Sequence, residues 1–121
     1  SVLLIEPGRR LGGLTSGGLG YTDIGNKYAI SGLSLDFYRR LGKFYGTFEQ
    51  WVFEPGVAEE HFRGYIQRGN VPVLFNQRLI SVKKTGKRIG EIALEPSERT
   101  GQPLQSGRTV RAKIFIDATY E

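Results

Sequence analysis

The chain contains no cysteine and no methionine among its 121 residues. Without cysteine, this stretch can hold no disulfide, no thiolate zinc site and no redox dithiol. The lack of methionine indicates that Ser1 is not a natural start. Because structural disulfides are typical of oxidising compartments, their absence fits the cytoplasmic location that we expect.

Long apolar runs are also missing. A helix that spans a membrane needs about 18 consecutive apolar residues, and no segment approaches that length. The apolar start at residues 2–5 ends at a glutamate and is too short for a signal peptide. Hydrophobic residues make up 39% and charged residues 24% of the chain, as in ordinary globular domains. We therefore predict one domain of modest size with no membrane span.

The formal net charge of +5 raises the question of a polyanionic partner. The basic residues are scattered as pairs, at residues 9–10, 39–40, 83–84 and 87–88. Scattered pairs favour a solvated surface over a nucleic-acid footprint, so we predict no nucleic-acid partner. A basic module that binds polyanions is the alternative.

The order of the predicted elements indicates a mixed α/β architecture. Residues 2–6 predict a short buried strand, and residues 7–32 are glycine-rich with little periodicity. A helix is predicted to begin near Ser31 or Ser34, and a second one begins at Pro55 and stops at Gly69 and Asn70. The predicted domain parts are residues 1–20, residues 31–69 and residues 71–119.

The last part is predicted to consist of strands. Residues 71–75 form a short apolar run, and residues 78–85 and 89–95 flank a hairpin turn at Gly86-Lys87. Residues 109–112 can return as a third antiparallel strand, and residues 113–117 predict another buried strand. We infer a parallel sheet into which a three-stranded antiparallel meander is inserted.

Glu6 closes the first predicted strand. Dinucleotide-binding folds use an acid in this position to accept hydrogen bonds from ribose hydroxyls, although many strands also end in a purely structural glutamate. A glycine-rich loop follows, with Gly12-Gly13 and Gly17-Gly18, whose backbone can approach a phosphate closely. The G-x-G-x-x-G motif of such folds lies about 20 residues before the acid, so we expect it upstream of Ser1. Residues 20–27 do not match a P-loop, because their lysine is misplaced.

The run from the first strand through Glu6 to Gly-Gly-x-Thr-Ser-Gly-Gly at residues 12–18 resembles a flavoprotein segment. It resembles the second FAD-contacting segment of the glutathione-reductase-type FAD domain, and most of all the bacterial FAD-dependent oxidoreductases. Residues 53–55, 73–82 and 114–119 extend the similarity. It implies part of a Rossmann-like FAD/NAD(P)-binding domain with parallel strands, two helices and a meander. It implies FAD as the cofactor.

The resemblance also implies roles for individual residues. Glu6 would hold the adenosine ribose. The residues implied near the pyrophosphate are Arg10, Gly12 and Gly13. Those implied near the ribityl chain and the isoalloxazine are Leu14, Thr15, Ser16, Gly17 and Gly18. Those implied beside the adenine and the AMP half are Leu79, by its backbone, and Ala118 and Thr119.

Disulfide reductases of this fold carry a cysteine where this chain has Leu14, Thr15 and Ser16, so the redox chemistry is expected on the flavin itself. The single histidine, His61, is interpreted as structural. We name no catalytic residue and predict no metal site. The leading hypothesis is an oxidoreductase that moves a hydride or an electron pair to or from an unidentified small molecule.

The alternative from another class is a non-catalytic α/β binding or structural module without a cofactor. If the phosphate-binding strand and loop lie upstream, this stretch alone should bind FAD poorly. It should also expose apolar faces, so we expect self-association.

Overall fold

The computed structural model describes residues 1–97 and 107–119. Backbone contacts divide the chain into two units. The first, here called the strand unit, comprises Ser1–Arg9 and Pro72–Glu121, and the second, the helical unit, comprises Arg10–Val71. The sequence prediction grouped residues 1–20 in one segment, whereas the boundary between the units falls after Arg9.

The strand unit contains the predicted parallel pair. Strand β1 is Leu4–Ile5 and strand β2 is Val73–Leu74, and they pair in parallel. The amide of Leu4 donates to the carbonyl of Pro72 at 3.0 Å, and that of Glu6 donates to the carbonyl of Leu74 at 2.9 Å. Both strands are shorter than the apolar runs that predicted them, but the parallel pairing is confirmed.

The predicted meander is also present in the strand unit. Strands β3 at Gln77–Thr85, β4 at Arg88–Pro96 and β5 at Arg108–Arg111 form an antiparallel sheet in that order. Gly86 forms the hairpin turn with φ of +59°, a conformation that suits glycine. Leu94 of β4 is 1% exposed, whereas every residue of β3 after Gln77 is exposed.

The predicted closing strand over residues 113–117 is wrong. Residues 112–119 belong to no strand, and Ile114 and Ile116 are 77% and 85% exposed. An extended segment becomes a strand only where a neighbouring strand satisfies its backbone hydrogen bonds. Within residues 1–97 and 107–119, β1 pairs with β2 alone, so this segment has no partner there.

The helical unit has two long helices, as predicted, and a short one that was not. Helix α1 is Gly13–Gly17, helix α2 is Gly32–Tyr45 and helix α3 is Pro55–Arg68, and a 3-10 turn lies at Lys27–Ala29. The fold class is therefore α/β, as predicted, with a third helix in the segment predicted as an irregular loop.

The core of the helical unit lies between α2, α3 and the segment that joins them. Its buried members are Phe37, Leu41, Phe53, Val57 and Ala58. Full burial of one such apolar side chain contributes roughly 1.5–3 kcal/mol. Aromatic side chains surround this core, and Trp51 stacks on Tyr38 with 4.0 Å between the ring centres. Trp51 therefore packs within the helical unit.

The helix ends agree with the predictions only in part. Helix α3 begins at Pro55, as predicted. Ser31 occupies the N-cap position of α2, but its side chain makes no capping hydrogen bond. At the end of α3 the left-handed residue is Asn70, with φ of +48°, whereas Gly69 has φ of −77°. A glycine-asparagine pair predicted the stop correctly without indicating which residue adopts the left-handed conformation.

Candidate cofactor-binding site

Glu6 follows β1 in the strand unit, and hydrogen bonds within that unit hold it in place. Its Oε1 accepts a hydrogen bond from the amide of Gly8 at 2.7 Å. Its backbone oxygen accepts one from the amide of Gln77 at 3.2 Å. One carboxylate oxygen is thus fixed by the turn, and the other can accept a hydrogen bond from a ligand hydroxyl.

Asn76 supports the same turn and was not predicted from the sequence. Its amide donates to the carbonyl of Gly8 at 3.0 Å, and its own carbonyl accepts from the amide of Ser97 at 2.9 Å. Asn76 has φ of +54°, which asparagine tolerates better than most residues. Within the described part of the chain, its buried Oδ1 and the buried Oγ of Ser97 have no hydrogen-bond partner. These two polar atoms leave the turn with unused hydrogen-bonding capacity.

Leu79 lies in β3, the edge strand of the three-stranded sheet. It pairs with Leu94, and the register shifts between Leu79 and Ser81. The side chain of Leu79 is 54% exposed. An edge strand keeps half of its backbone groups free of sheet pairing, and the backbone contact implied for Leu79 stays a prediction.

Ala118 and Thr119 lie on an exposed turn after the sheet. The Oδ1 of Asp117 accepts hydrogen bonds from the hydroxyl of Thr119 at 2.6 Å and from its amide at 3.0 Å. These hydrogen bonds, the one from the side chain most of all, hold the pKa of Asp117 below its usual value. Asp117 is thereby explained as a local turn residue, and its geometry gives no sign of an acid or base in catalysis.

The glycine-rich segment of the helical unit forms α1 and the turn before it. Gly12 has φ of +101°, and a Cβ atom there would come within 2.3 Å of the ring of Phe62. Packing against Phe62 therefore explains the glycine at residue 12. At Gly17 and Gly18, apart from the adjoining backbone, no atom of residues 1–97 and 107–119 lies within 4 Å of the place of a Cβ. These two glycines provide the open backbone surface that a ligand could approach.

Ser16 uses its side chain within the helical unit. The side chain is fully buried, and its hydroxyl donates to the carbonyl of Leu11. The contact implied for Ser16 near the ribityl chain stays a prediction. Leu14, on the same short helix, is 62% exposed, and Thr15 is half-buried.

The side chain of Arg10 is exposed, whereas that of His61 packs against the core. The Nε of Arg10 lies 3.8 Å from the Oε2 of Glu59, and the Arg10 side chain is 65% exposed, so this guanidinium can still reach an anion. The ring of His61 packs edge-on against Phe37, with 6.4 Å between the ring centres. That contact fits the structural role expected for His61.

Across residues 1–97 and 107–119, no three His, Asp or Glu side chains are grouped so that they could hold a metal ion. In the same ranges, no helix has both the length and the apolar character that crossing a bilayer requires.

Comparison with known proteins gives one match. The model of a protein family described as FAD dependent oxidoreductase matches residues 1–121, the whole chain. No curated protein and no solved structure matches the chain.

Proposed function

The chain belongs to the FAD-dependent oxidoreductase family, and from this premise we propose that it forms part of the FAD site of an enzyme that transfers a hydride or an electron pair. FAD is the cofactor of the family. The proposal extends to the residues that contact it and to a small-molecule substrate, which stays unidentified. FAD, when bound, supplies the redox chemistry, and the protein supplies binding, orientation and electrostatics.

The carboxylate of Glu6 carries this proposal. Its Oε1 is fixed by the amide of Gly8 at 2.7 Å, so its Oε2 is held in place to accept a hydrogen bond. A ribose offers two neighbouring hydroxyl donors, and a fixed ionised acceptor binds such donors about twice as strongly as a neutral one. The turn around Glu6 therefore fits the adenosine ribose of FAD.

The glycine-rich segment fits the cofactor for a different reason. The open space at Gly17 and Gly18 admits a ligand against the backbone, and the exposed side chain of Leu14 offers an apolar contact. Backbone groups and apolar side chains suit a large planar cofactor, most of whose affinity comes from buried apolar area and a few polar contacts. Thr15 and Gly13 stay predictions as backbone contacts.

No residue of this chain is assigned to catalysis. The sequence has no cysteine that could pass electrons between the flavin and a substrate. The role proposed for the described residues is to bind and orient FAD. A cytoplasmic location and self-association remain predictions from the sequence.

Ion pairs between basic and acidic side chains argue against the alternative that the chain is a basic module that binds polyanions. Basic side chains in both units are paired with acids on the same unit, which leaves a mixed surface instead of one continuous basic face. The pairs are Arg39–Glu49, Arg40–Asp36, Arg63–Glu59, Arg78–Glu95 and Arg111–Glu91. This pattern favours the predicted absence of a nucleic-acid partner.

The purified full-length protein tests the proposal. We expect a yellow protein with flavin absorbance, and FAD, identified by mass, after release by heat or acid. A colourless protein that takes up no added FAD would contradict the proposal and favour the cofactor-free module. Anaerobic mixing with reduced nicotinamides and other hydride donors then tests the transfer itself. A bound flavin that no donor bleaches would contradict the enzymatic part alone.

A further inference from the structure

The helical unit contains an open groove between α2 and α3, and none of its lining residues is proposed to contact FAD. Its volume is about 420 Å³. Cationic and aromatic side chains predominate in its lining, which consists of Arg40, Lys43, Phe44, Glu60, His61, Gly64 and Arg68. Three of these side chains are permanent cations at neutral pH and one is an acid, so the lining favours an anion.

Arg40 is held in a defined orientation at this groove. Its Nε donates to the Oδ2 of Asp36 at 2.6 Å, and the hydroxyl of Tyr65 donates to the same oxygen, also at 2.6 Å. The hydrogen bond from Arg40, with that from Tyr65, holds the pKa of Asp36 below its usual value, so Asp36 stays ionised at neutral pH. The ion pair uses the Nε of Arg40, and a further side-chain hydrogen bond joins Arg40 to Tyr65. A guanidinium carries five N–H donors, so donors remain for a ligand.

Arg68 is positioned by the same tyrosine. Its guanidinium carbon lies 4.8 Å from the centre of the Tyr65 ring, and that of Arg40 lies 5.5 Å from it. The Nη1 of Arg68 lies beside Gly64, 3.4 Å from where a Cβ atom would stand. Tyr65 therefore holds two guanidinium groups beside one ring, and each of them lines the groove. Two planar guanidinium forks of this kind match the oxygens of a phosphate.

The other part of the groove is aromatic. Phe44 is 58% exposed and packs edge-on against His61, with 6.5 Å between the ring centres. His61 is in turn packed on Phe37 of the core. Phe44 thus presents a supported apolar ring next to the cations, where the body of an organic anion can pack against it.

We propose that this groove binds a small organic phosphate with an aromatic body, at a site separate from the residues assigned to FAD. Arg40 and Arg68 hold the phosphate oxygens, Lys43 adds attraction, and Phe44 packs on the ring of the ligand. A phosphate ester carries a charge of about −1.5 to −2 at pH 7, so Arg40, Lys43 and Arg68, which are opposed by Glu60 and Asp36, attract it more strongly than they attract a single carboxylate. Glu60 weakens the binding.

Calorimetric titration of the full-length, FAD-loaded protein with phenyl phosphate tests this proposal. Loading with FAD first keeps the probe out of the flavin site. We expect saturable binding that weakens as salt is raised. Benzoate and inorganic phosphate are the comparison ligands, and each should bind at least about fivefold more weakly, because each lacks one half of the recognised structure.

Variants of the lining residues locate the site. Arg40→Gln and Arg68→Gln should each raise the dissociation constant of phenyl phosphate about tenfold, as expected for the loss of a charge-assisted hydrogen bond. Arg39→Gln is the matched control, because Arg39 pairs with Glu49 and does not line the groove. It should leave the constant within about twofold, as expected for an exposed pair outside the site. Glu60→Gln should tighten binding about threefold by removing the opposing charge.

Several outcomes would overturn the proposal. Absence of binding by the wild-type protein at low salt would do so, as would benzoate binding as tightly as phenyl phosphate. Equal effects of Arg39→Gln and Arg68→Gln would reduce the result to non-specific attraction. Far-UV circular dichroism and retained flavin absorbance establish that each variant is folded. Glu60→Gln is expected to tighten the binding of phenyl phosphate, and a variant that folds poorly could not produce that result.

Discussion

The ring of Phe62 in α3 occupies the place where a side chain on Gly12 would begin. A Cβ atom built on Gly12 would lie 2.3 Å from the Cε2 of Phe62 and 2.9 Å from the Oγ of Ser16. The turn before helix α1 can therefore pack closely against α3 because residue 12 has no side chain. Two of the glycines in the segment that resembles a flavin loop thus have different explanations, packing for Gly12 and open space for Gly17.

Gly12→Ala should destabilise the protein strongly. The change forces alanine into a left-handed conformation with φ of +101° and pushes its methyl group into Phe62. Backbone strain costs about 1–3 kcal/mol and overpacking about 1–3 kcal/mol. We expect the free energy of unfolding, measured with urea and circular dichroism, to fall by about 2–4 kcal/mol. Gly17→Ala, inside the same helix with open space around it, should change it by less than about 1 kcal/mol. Equal losses in the two variants would contradict the packing explanation.

Ser16→Ala should also destabilise the protein, although it adds no bulk. The hydroxyl of Ser16 is fully buried and donates to the carbonyl of Leu11, which would lose its donor. An orphaned buried polar group costs about 1–3 kcal/mol. The exposed Ser34 of α2 provides the control, and Ser34→Ala should stay within about 0.5 kcal/mol of the wild type. A neutral Ser16→Ala variant would show that the hydroxyl has little structural importance.

Glu6→Gln should weaken FAD binding while the fold is retained. Glutamine can still accept a hydrogen bond from the amide of Gly8, but it lacks the charge that strengthens a bond to a ribose hydroxyl. Hydrogen bonds to charged groups contribute about 1.5–3 kcal/mol, so we expect at least about a tenfold rise in the dissociation constant. Fluorescence titration of the full-length apoprotein with FAD measures it. Asp23→Asn removes an exposed charge elsewhere and should have no such effect. Wild-type affinity in Glu6→Gln would remove Glu6 from the site.

Asp36 should make the stability of the protein depend on pH in the acid range. Its folded pKa lies below the ordinary value of 3.8, chiefly through the hydrogen bond from Arg40. The stabilisation is therefore present in full above the unfolded pKa and is lost as the pH falls through the folded one. Urea midpoints measured between about pH 2 and pH 5 should fall less steeply in Asp36→Asn and in Arg40→Gln. Arg39→Gln should keep the wild-type slope, and a loss of slope in that variant would contradict the assignment to Asp36.

Strong local signals predicted much of the strand unit and of the long helices. Pro55 marked the start of α3, since its fixed φ suits a first turn. Gly86 marked the hairpin of the meander, since a tight turn needs a positive φ. In both places the residue that determines the backbone conformation lies at the element boundary itself, where a single sequence displays it.

Elements held by distant contacts were not predictable in this way. Helix α1 is rich in glycine and has little helical propensity, and its contacts with Phe62 and Leu11 are not visible in its own sequence. The reverse occurred at Ile114 and Ile116, whose apolar pattern predicted burial although no described strand pairs with them. In both places the structure depends on contacts with residues distant in sequence, which the local sequence does not display.

The candidate site shows the same division. Glu6 was identifiable because an acid that closes a strand has a known use in this kind of fold. The inward direction of the Ser16 hydroxyl and the part that Asn76 takes in the Glu6 turn were not identifiable. Both depend on which backbone groups come together after folding. The signal in the sequence for Asn76 was an asparagine between two predicted strands.

The division of the chain also determines the order in which its parts can form. The helical unit is one continuous stretch, Arg10–Val71, whereas the strand unit joins Ser1–Arg9 to residues that follow it. Pairing of Leu4 with Val73 must therefore close a loop as long as the whole helical unit, and that closure has an entropic cost. During synthesis β1 leaves the ribosome before β2, and α2 and α3 can pack in the interval. Among the pairings of the described strands, the one that involves Ile5 joins the residues most distant in sequence.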